Sequence, residues 1–431
     1  MLRTVVFTLA SLIVFGSNLP AQDITKSTDW PQWRGPLRDG ISTETKLLRE
    51  WGKDGPPLLW NSRKVSGKSI GTGYSSVAIA GGKIFTMGDL GKEGCFVFCL
   101  DESTGNHLWA TRVSPQNTGS YEGPRCTPTV DGNLVYAVER NGTLCCLKTE
   151  NGEIVWQKSY PKDFKGKMMS GWGYSESPLI DGDKIVCTPG GEEAGLVALN
   201  KKTGIVIWKS EIPKMGGSGY SSIVIADVGG IRQYITLMRN AIVGVNAADG
   251  KFLWSYSKAV RGTANIPTAV VKGDMVFTST GYGAGAAVVK LVPDGDGIAA
   301  KEVFYLDGDK LQNHHGGVVL IGDHIYGGHG NNGGKPFCLE MKTGKFAWGP
   351  EKKAAGQGSA AVVYADGNLY FRYENNVMAL IEATPTAYKL KSQFKLPIDT
   401  GEKGWQHPVI LHGKMFIRAN DELLCYDIRQ K

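Results

Sequence analysis

Residues 338–348 read CLEMKTGKFAW, and the same eleven-residue template recurs along the chain. It stands at 99–109 as CLDESTGNHLW, at 146–156 as CLKTENGEIVW, at 198–208 as ALNKKTGIVIW and at 244–254 as GVNAADGKFLW. Each copy opens on a small residue, places Leu or Val second, Gly seventh and Trp eleventh. This is the pattern of a strand end, a tight turn and a returning strand. The Gly suits a turn position of positive φ, where a side chain would clash. A Trp at one fixed place in every unit implies one recurring socket. Units spaced by roughly 45–50 residues have the period of a propeller blade.

Weaker copies complete the set. The segment beginning at Val289 keeps the turn and loses the Trp, with Phe304 or Tyr305 as the stand-in. Another copy starts at Ala379-Leu380, with Phe394 as a displaced aromatic. The last begins at Cys425 and the chain stops before its Trp, but Leu58-Leu59-Trp60 offers the missing strand and ring. Starts at Cys99, Cys146, Ala198, Gly244, Val289, Cys338, Ala379 and Cys425 make eight units. The expectation is an all-β, eight-bladed propeller whose ring is closed by strands from both termini, leaving no open ring edge. Trp60, Trp109, Trp156, Trp208, Trp254 and Trp348 are its structural tryptophans.

The expected organisation is residues 1–21 as a signal peptide, 22–50 as an arm packed on the ring, and 51–431 as the propeller. Arg3, the apolar run from Val5 to Phe15 and a small residue at Ala21 carry the signal reading. That run is too short for a membrane span, and no later stretch is apolar enough for one. No Cys follows it to take a lipid. The protein is therefore read as exported, to the periplasm or the extracellular space. The arm holds WPQWRGP at 30–36, too rich in Pro for a helix; Trp30 and Trp33 are its expected anchors, with Arg34 or Arg38 reaching a ligand as the alternative role. The net charge of +7 is spread without a basic block, which excludes a nucleic-acid signature.

Eight cysteines in an exported chain would ordinarily suggest disulfides. Four of them, Cys99, Cys146, Cys338 and Cys425, hold the first template position, where other copies use Ala or Gly, so they act as small apolar residues. Cys95 and Cys99 lie about 13 Å apart on one strand, too far to bridge. Cys145 and Cys146 are read as reduced strand neighbours on opposite faces rather than as a strained vicinal disulfide.

A second repeat precedes each template: a short strand, a Gly-containing turn and an alternating strand, as in RCTPTVDGNLVY from Arg125 and HPVILHGKMFI from His407. The first strand of each blade lines a propeller's channel, so residues at the strand starts converge on one mouth. These include Tyr74, Ser75, Arg125, Trp172, Ser175, Glu176, Tyr220, Asn265, His314, His315, Gln357, Trp405, Gln406 and His407. Polar groups interleaved with aromatics make a ligand site; the alternative is that they solvate the mouth and satisfy one another. In blade six the turn at Gly322-Asp323 brings His329 back towards His314 and His315, a trio of imidazoles suited to Zn, Cu, Fe or Ni.

The eleven-residue template resembles the tryptophan-docking motif of the pyrroloquinoline quinone (PQQ)-like repeat family, across residues 51–431. That family includes quinoprotein alcohol dehydrogenases and a non-enzymatic propeller lipoprotein of the outer-membrane β-barrel assembly machinery. The arm WPQWRGP also resembles a group of exported PQQ-like repeat proteins. The resemblance implies fold more strongly than chemistry, and its Trp residues pack blades rather than bind quinone. The dehydrogenases hold a quinone on a Trp floor with Ca²⁺ on Glu, Asn and Asp. Here Glu176 and Asn265 are the matching oxygen donors. No catalytic Asp accompanies them and no Cys-x-x-Cys-His haem site is present. From the assembly lipoprotein the chain departs by lacking a lipid-attachment Cys.

Two functions of different class follow. One is an exported binding or scaffold protein taking a protein, glycan or small-molecule ligand at the channel mouth. The other is a PQQ- or metal-dependent alcohol or sugar oxidoreductase using the same mouth.

Overall fold

The structure, a computed structural model, describes residues 29–116, 119–398 and 403–431. The expected signal segment lies outside the described residues. Among them the strands form eight four-stranded antiparallel sheets. In seven blades the four strands run inner to outer in chain order. The eighth combines Val409–Leu411, Lys414–Ala419 and Glu422–Asp427 with Leu58–Asn61 from the other end of the chain. Trp60 pairs with Cys425 and Leu58 with Tyr426, so both termini close the ring.

The template residues explain how the blades are joined. Its first residue stands directly across from the Trp in Cys99–Trp109, Cys146–Trp156, Ala198–Trp208, Gly244–Trp254 and Cys338–Trp348. A larger residue would collide there; a Cβ built on Gly244 would overlap Trp254 Nε1. A register shift follows each of these pairs and bends the outer strand, as a bulge does. In four blades, those of Trp60, Trp109, Trp156 and Trp208, the Trp ring lies on the turn Gly of the next blade. Gly105 has φ +75° and a Cβ there would come within 2.6 Å of the Trp60 ring; Gly152 meets Trp109 in the same way, and Gly250 meets Trp208.

Two weak copies differ from the expected register. The fifth pairs Val288, not Val289, with Phe304, and the Phe304 ring covers Gly344. In blade seven Phe394 stands opposite Met378, and Trp51 packs edge-on against it at 5.3 Å. All eight cysteines are free and buried. No helix among the described residues is long and apolar enough to cross a membrane.

Each inner strand presents an unpaired edge to the channel, and such edges need partners. The arm supplies them. Trp30 exchanges backbone hydrogen bonds with Ile79 of blade one at 2.8 Å, and Pro31 O accepts from Val130 N of blade two at 2.7 Å. Arg38 donates to Ser177 O and Pro178 O of blade three and Ile223 O of blade four. Trp33 Nε1 donates to Thr268 Oγ1 before the inner strand of blade five at 3.0 Å. Arg34 reaches Val318 O of blade six, and Gly40 and Ser42 bond Tyr364 of blade seven. The Trp33 ring meets His407 of blade eight edge-on at 4.6 Å. The arm thus touches every blade from within the channel.

Candidate functional site

With the arm in the channel, the mouth becomes a blind cavity of about 690 Å³. Trp33 and Arg34 of the arm form part of its lining, together with the residues that precede the inner strands. The volume falls within the range of small-molecule pockets, roughly 300–1,000 Å³.

The wall is a run of rings in contact. The Arg125 guanidinium lies over Tyr74 at 5.5 Å, and Tyr74 packs on Trp405 at 4.8 Å. Trp405 stacks on His315 with centroids 4.0 Å apart and planes 7° from parallel. His315 adjoins His314 at 3.8 Å, and His314 meets Tyr282 edge-on at 4.8 Å. Trp172 and Tyr220 stand together on the blade three to four side, 6.2 Å apart. Tyr121 packs on Trp405 at 5.2 Å. Tyr121 and Tyr282 both take positive φ, +54° and +56°, a conformation that costs free energy in a non-Gly residue and is often retained at functional sites.

The cavity is cationic. Burial lowers the Arg125 guanidinium to about 10, with Arg140 adding to the shift. Its bonds go to backbone oxygens, Gly123 O at 3.1 Å and Tyr121 O at 2.6 Å. Burial likewise lowers Arg34 to about 10 against a smaller opposing effect of Asp39. Among the described residues neither arginine has a carboxylate within ion-pair distance. Lys403 is paired with Glu374 at 3.2 Å. Burial, then His314, Arg125 and Lys403, holds His315 well below the usual histidine range; burial and Arg34 do the same to His407. Both imidazoles are therefore neutral at pH 7. Four buried polar atoms of lining residues, Ser175 Oγ, His314 Nε2, Trp405 Nε1 and His407 Nδ1, have no hydrogen-bond partner among the described residues. Such atoms are costly when unsatisfied, so they mark places for a ligand or water.

Of the residues expected at the mouth, Tyr74, Arg125, Trp172, Ser175, Tyr220, His314, His315, Gln357, Trp405 and His407 line the cavity. Four do not. Ser75 is buried and its hydroxyl donates to Ser76 O at 2.9 Å. Glu176 is buried and accepts from Tyr160 OH and Thr188 N, both at 2.8 Å. Asn265 donates to Met238 O and Arg239 O and accepts from Arg261 N, which ties down a loop. Gln406 donates to Gly73 O at 2.9 Å. Their polar groups serve the backbone that shapes the mouth. The expected imidazole trio also fails to assemble: His329 Nδ1 accepts from Gln312 N at 3.2 Å, and no metal-binding group of three His, Cys, Asp or Glu occurs among the described residues.

The same bonds decide the fit of Ca²⁺. The oxygen donors implied for the metal, Glu176 and Asn265, are engaged with protein donors and lie outside the cavity lining. The cavity lining holds one carboxylate, Glu374, already paired with Lys403, beside Arg34 and Arg125, and so this donor set does not fit Ca²⁺.

Sequence reasoning missed Tyr121 and Tyr282 and gave Arg34 only a secondary role. A signal for Tyr282 was present: mouth aromatics follow glycines in Gly73-Tyr74, Gly171-Trp172, Gly219-Tyr220, Gly281-Tyr282 and Gly404-Trp405, whereas Tyr121 follows Ser120.

Residues 93–350 match the PQQ_2 family model, described as outer membrane protein assembly factor BamB. A tetrathionate hydrolase of Acidithiobacillus ferrooxidans is 22% identical over 90% of this chain and 80% of its own length. BamB of Shewanella oneidensis is 25% identical over 56% of this chain, and the match spans 60% of that relative. Among solved structures, the quinohemoprotein alcohol dehydrogenase of Comamonas testosteroni has a TM-score of 0.60 at 13% identity, covering 94% of this chain and 81% of that one. That last likeness is one of fold.

Proposed function

The chain belongs to the PQQ-like propeller family whose model is described as outer membrane protein assembly factor BamB, and from that premise we propose that it is an exported binding protein whose mouth cavity takes a small anionic molecule with a flat ring. One observation carries this reading. A half-buried guanidinium without a carboxylate partner, Arg125, sits against a continuous aromatic wall of the cavity. Arginine in a desolvated pocket bonds carboxylates and other oxyanions strongly, often through two parallel hydrogen bonds. The Tyr74–Trp405–His315 stack supplies ring faces for an apolar body. The unpaired Trp405 Nε1 and Ser175 Oγ add hydrogen-bonding capacity. Export rests on the apolar run near the N-terminus.

The relatives named as assembly factors support a protein partner instead, and a folded partner would meet the rim rather than the cavity. The test separates these. Naphthoate, a ring-bearing monoanion, is titrated against purified protein while tryptophan fluorescence is followed. Expected are saturable quenching that weakens as salt rises and a loss of about tenfold or more in affinity in Arg125→Gln. No saturable binding, or equal affinity in Arg125→Gln, would sink the small-anion reading. Dye-linked alcohol oxidation after loading with PQQ and Ca²⁺ would move the protein to the oxidoreductase class.

A further inference from the structure

The arm sends two buried arginines into the same channel, and they are bonded differently. Arg38 uses all three nitrogens: Nε donates to Gln32 Oε1 at 2.9 Å, Nη1 to Ser177 O at 3.0 Å and Ile223 O at 2.9 Å, and Nη2 to Pro178 O. It does not line the cavity. It is a structural plug whose donors are spent on inner-strand carbonyls. Arg34 bonds through Nη2 alone, to Asp39 O at 2.9 Å and to Val318 O. Its Nη1 lies beside Gly317, where a Cβ would come within 2.7 Å of it, and both residues line the cavity. Arg34 is only 4% exposed.

We propose that Arg34 is a ligand-contacting residue on the cavity floor, and that the molecule bound here carries two acidic groups, one for Arg125 in the wall and one for Arg34 beneath. This rests on the anion-binding reading above and sharpens it. A buried guanidinium with donors to spare is stabilised by an oxyanion brought to it, and it is costly to leave bare. The two cations belong to different parts of the mouth. Arg125 stands on the loop before the inner strand of blade two, against Tyr74. Arg34 comes up from the arm, and its charge is felt at His407, whereas that of Arg125 is felt at His315. Gly317 keeps the approach to Arg34 Nη1 free of side-chain atoms. The binding site is therefore composite: the ring supplies walls and one cation, and the arm supplies a floor and the other.

The experiment compares naphthoate with a naphthalene dicarboxylate bearing its acids at opposite ends, by calorimetry on the full chain. The diacid is expected to bind wild type about tenfold tighter than the monoacid, the worth of one charge-assisted contact. Arg34→Gln should bring that ratio to about one. Arg34→Lys, which keeps the charge without the planar fork, should reduce it only in part. Arg38→Gln should lower the melting temperature and leave the ratio as in wild type. Equal affinity for the two acids in wild type, or an undiminished ratio in Arg34→Gln, would overturn the proposal while leaving the anion reading intact. Should Arg34→Gln not fold, the wild-type ratio and Arg34→Lys decide by the same criterion. If neither acid binds wild type, the anion reading fails and this inference with it.

Discussion

The perimeter and the mouth use the same kinds of residue to opposite ends. On the perimeter, the Trp60, Trp109, Trp156 and Trp208 rings each land on the turn glycine of the next blade, with no space for an added Cβ. Trp109 and Trp156 also donate Nε1–H to the neighbouring blade, to Thr149 O and Lys201 O. At the mouth, Trp405 is stacked on His315, packs at a tilt on Tyr74, borders empty volume and keeps its own N–H unpaired. Perimeter rings are placed by a repeat at the seams between blades, although Trp60 and Trp208, like Trp405, leave Nε1 unpaired. Mouth residues lie outside the template: the blades bring Tyr, Trp, Arg and His side chains in a mixture to the same level. Where a repeat protein stays uniform it is building its core, and where its blades differ it is building a site.

Predictions can break or sharpen this contrast, beginning with the largest effect. Removing residues 29–61 takes away the fourth strand of blade eight and the channel arm together. The protein should lose its cooperative melt, because the last blade loses its outer strand and the inner-strand edges lose the arm that partners them. A melt and hydrogen exchange unchanged from wild type would refute the closure. Next comes Trp208→Ala or Trp348→Ala, each expected to cost roughly 3–5 kcal/mol of stability, as for emptying a buried aromatic site. Chemical denaturation measures it, and naphthoate affinity of the folded variants should stay at the wild-type value.

The mouth should answer in reverse. Trp405→Ala is expected to lower naphthoate affinity by about tenfold or more, from lost ring stacking, while costing less stability than either perimeter variant. A Trp405 variant as unstable as Trp208→Ala would mean that the two regions do not divide the labour. The smallest effect is on pH. His407 and His315 are held neutral in the fold by burial, so the unfolded chain binds more protons as pH falls through the ordinary histidine range, near 6.5. Stability should decline as pH drops below that point. Arg34, Arg125 and Lys403, which stand around these rings, oppose their protonation further. His407→Asn should flatten the slope between neutral and mildly acid pH, and an unaltered slope would exclude His407 from the effect.

The propeller was legible because its evidence is local and repeated. The small residue, the turn glycine and the Trp of each template lie within eleven residues, and Leu58 to Trp60 met Cys425 and Tyr426 as the missing strand of a truncated copy should. Even the misplaced fifth start was off by one residue, since Val288 and Val289 are alike and only the bulge shows which one faces Phe304. The mouth was half legible. Strand starts were found by counting, but a strand start does not say where its side chain turns. Glu176 rotates to Tyr160 and Thr188, whereas Arg125 on a like stretch opens to the cavity.

By itself, then, the sequence determined a closed ring of eight blades with aromatic staples, and a mouth rich in polar and aromatic groups. The tertiary structure alone decided that the arm runs inside the channel, that the mouth is blind, and which polar groups are left to a ligand. The physical reason is range. Blade contacts repeat over short separations and write themselves into a periodic pattern. The bonds that place the arm join Arg38 to Ser177 and Arg34 to Val318, 139 and 284 residues apart, each made once. A contact formed once between distant residues leaves no period in the chain, and only the folded channel brings its two ends together.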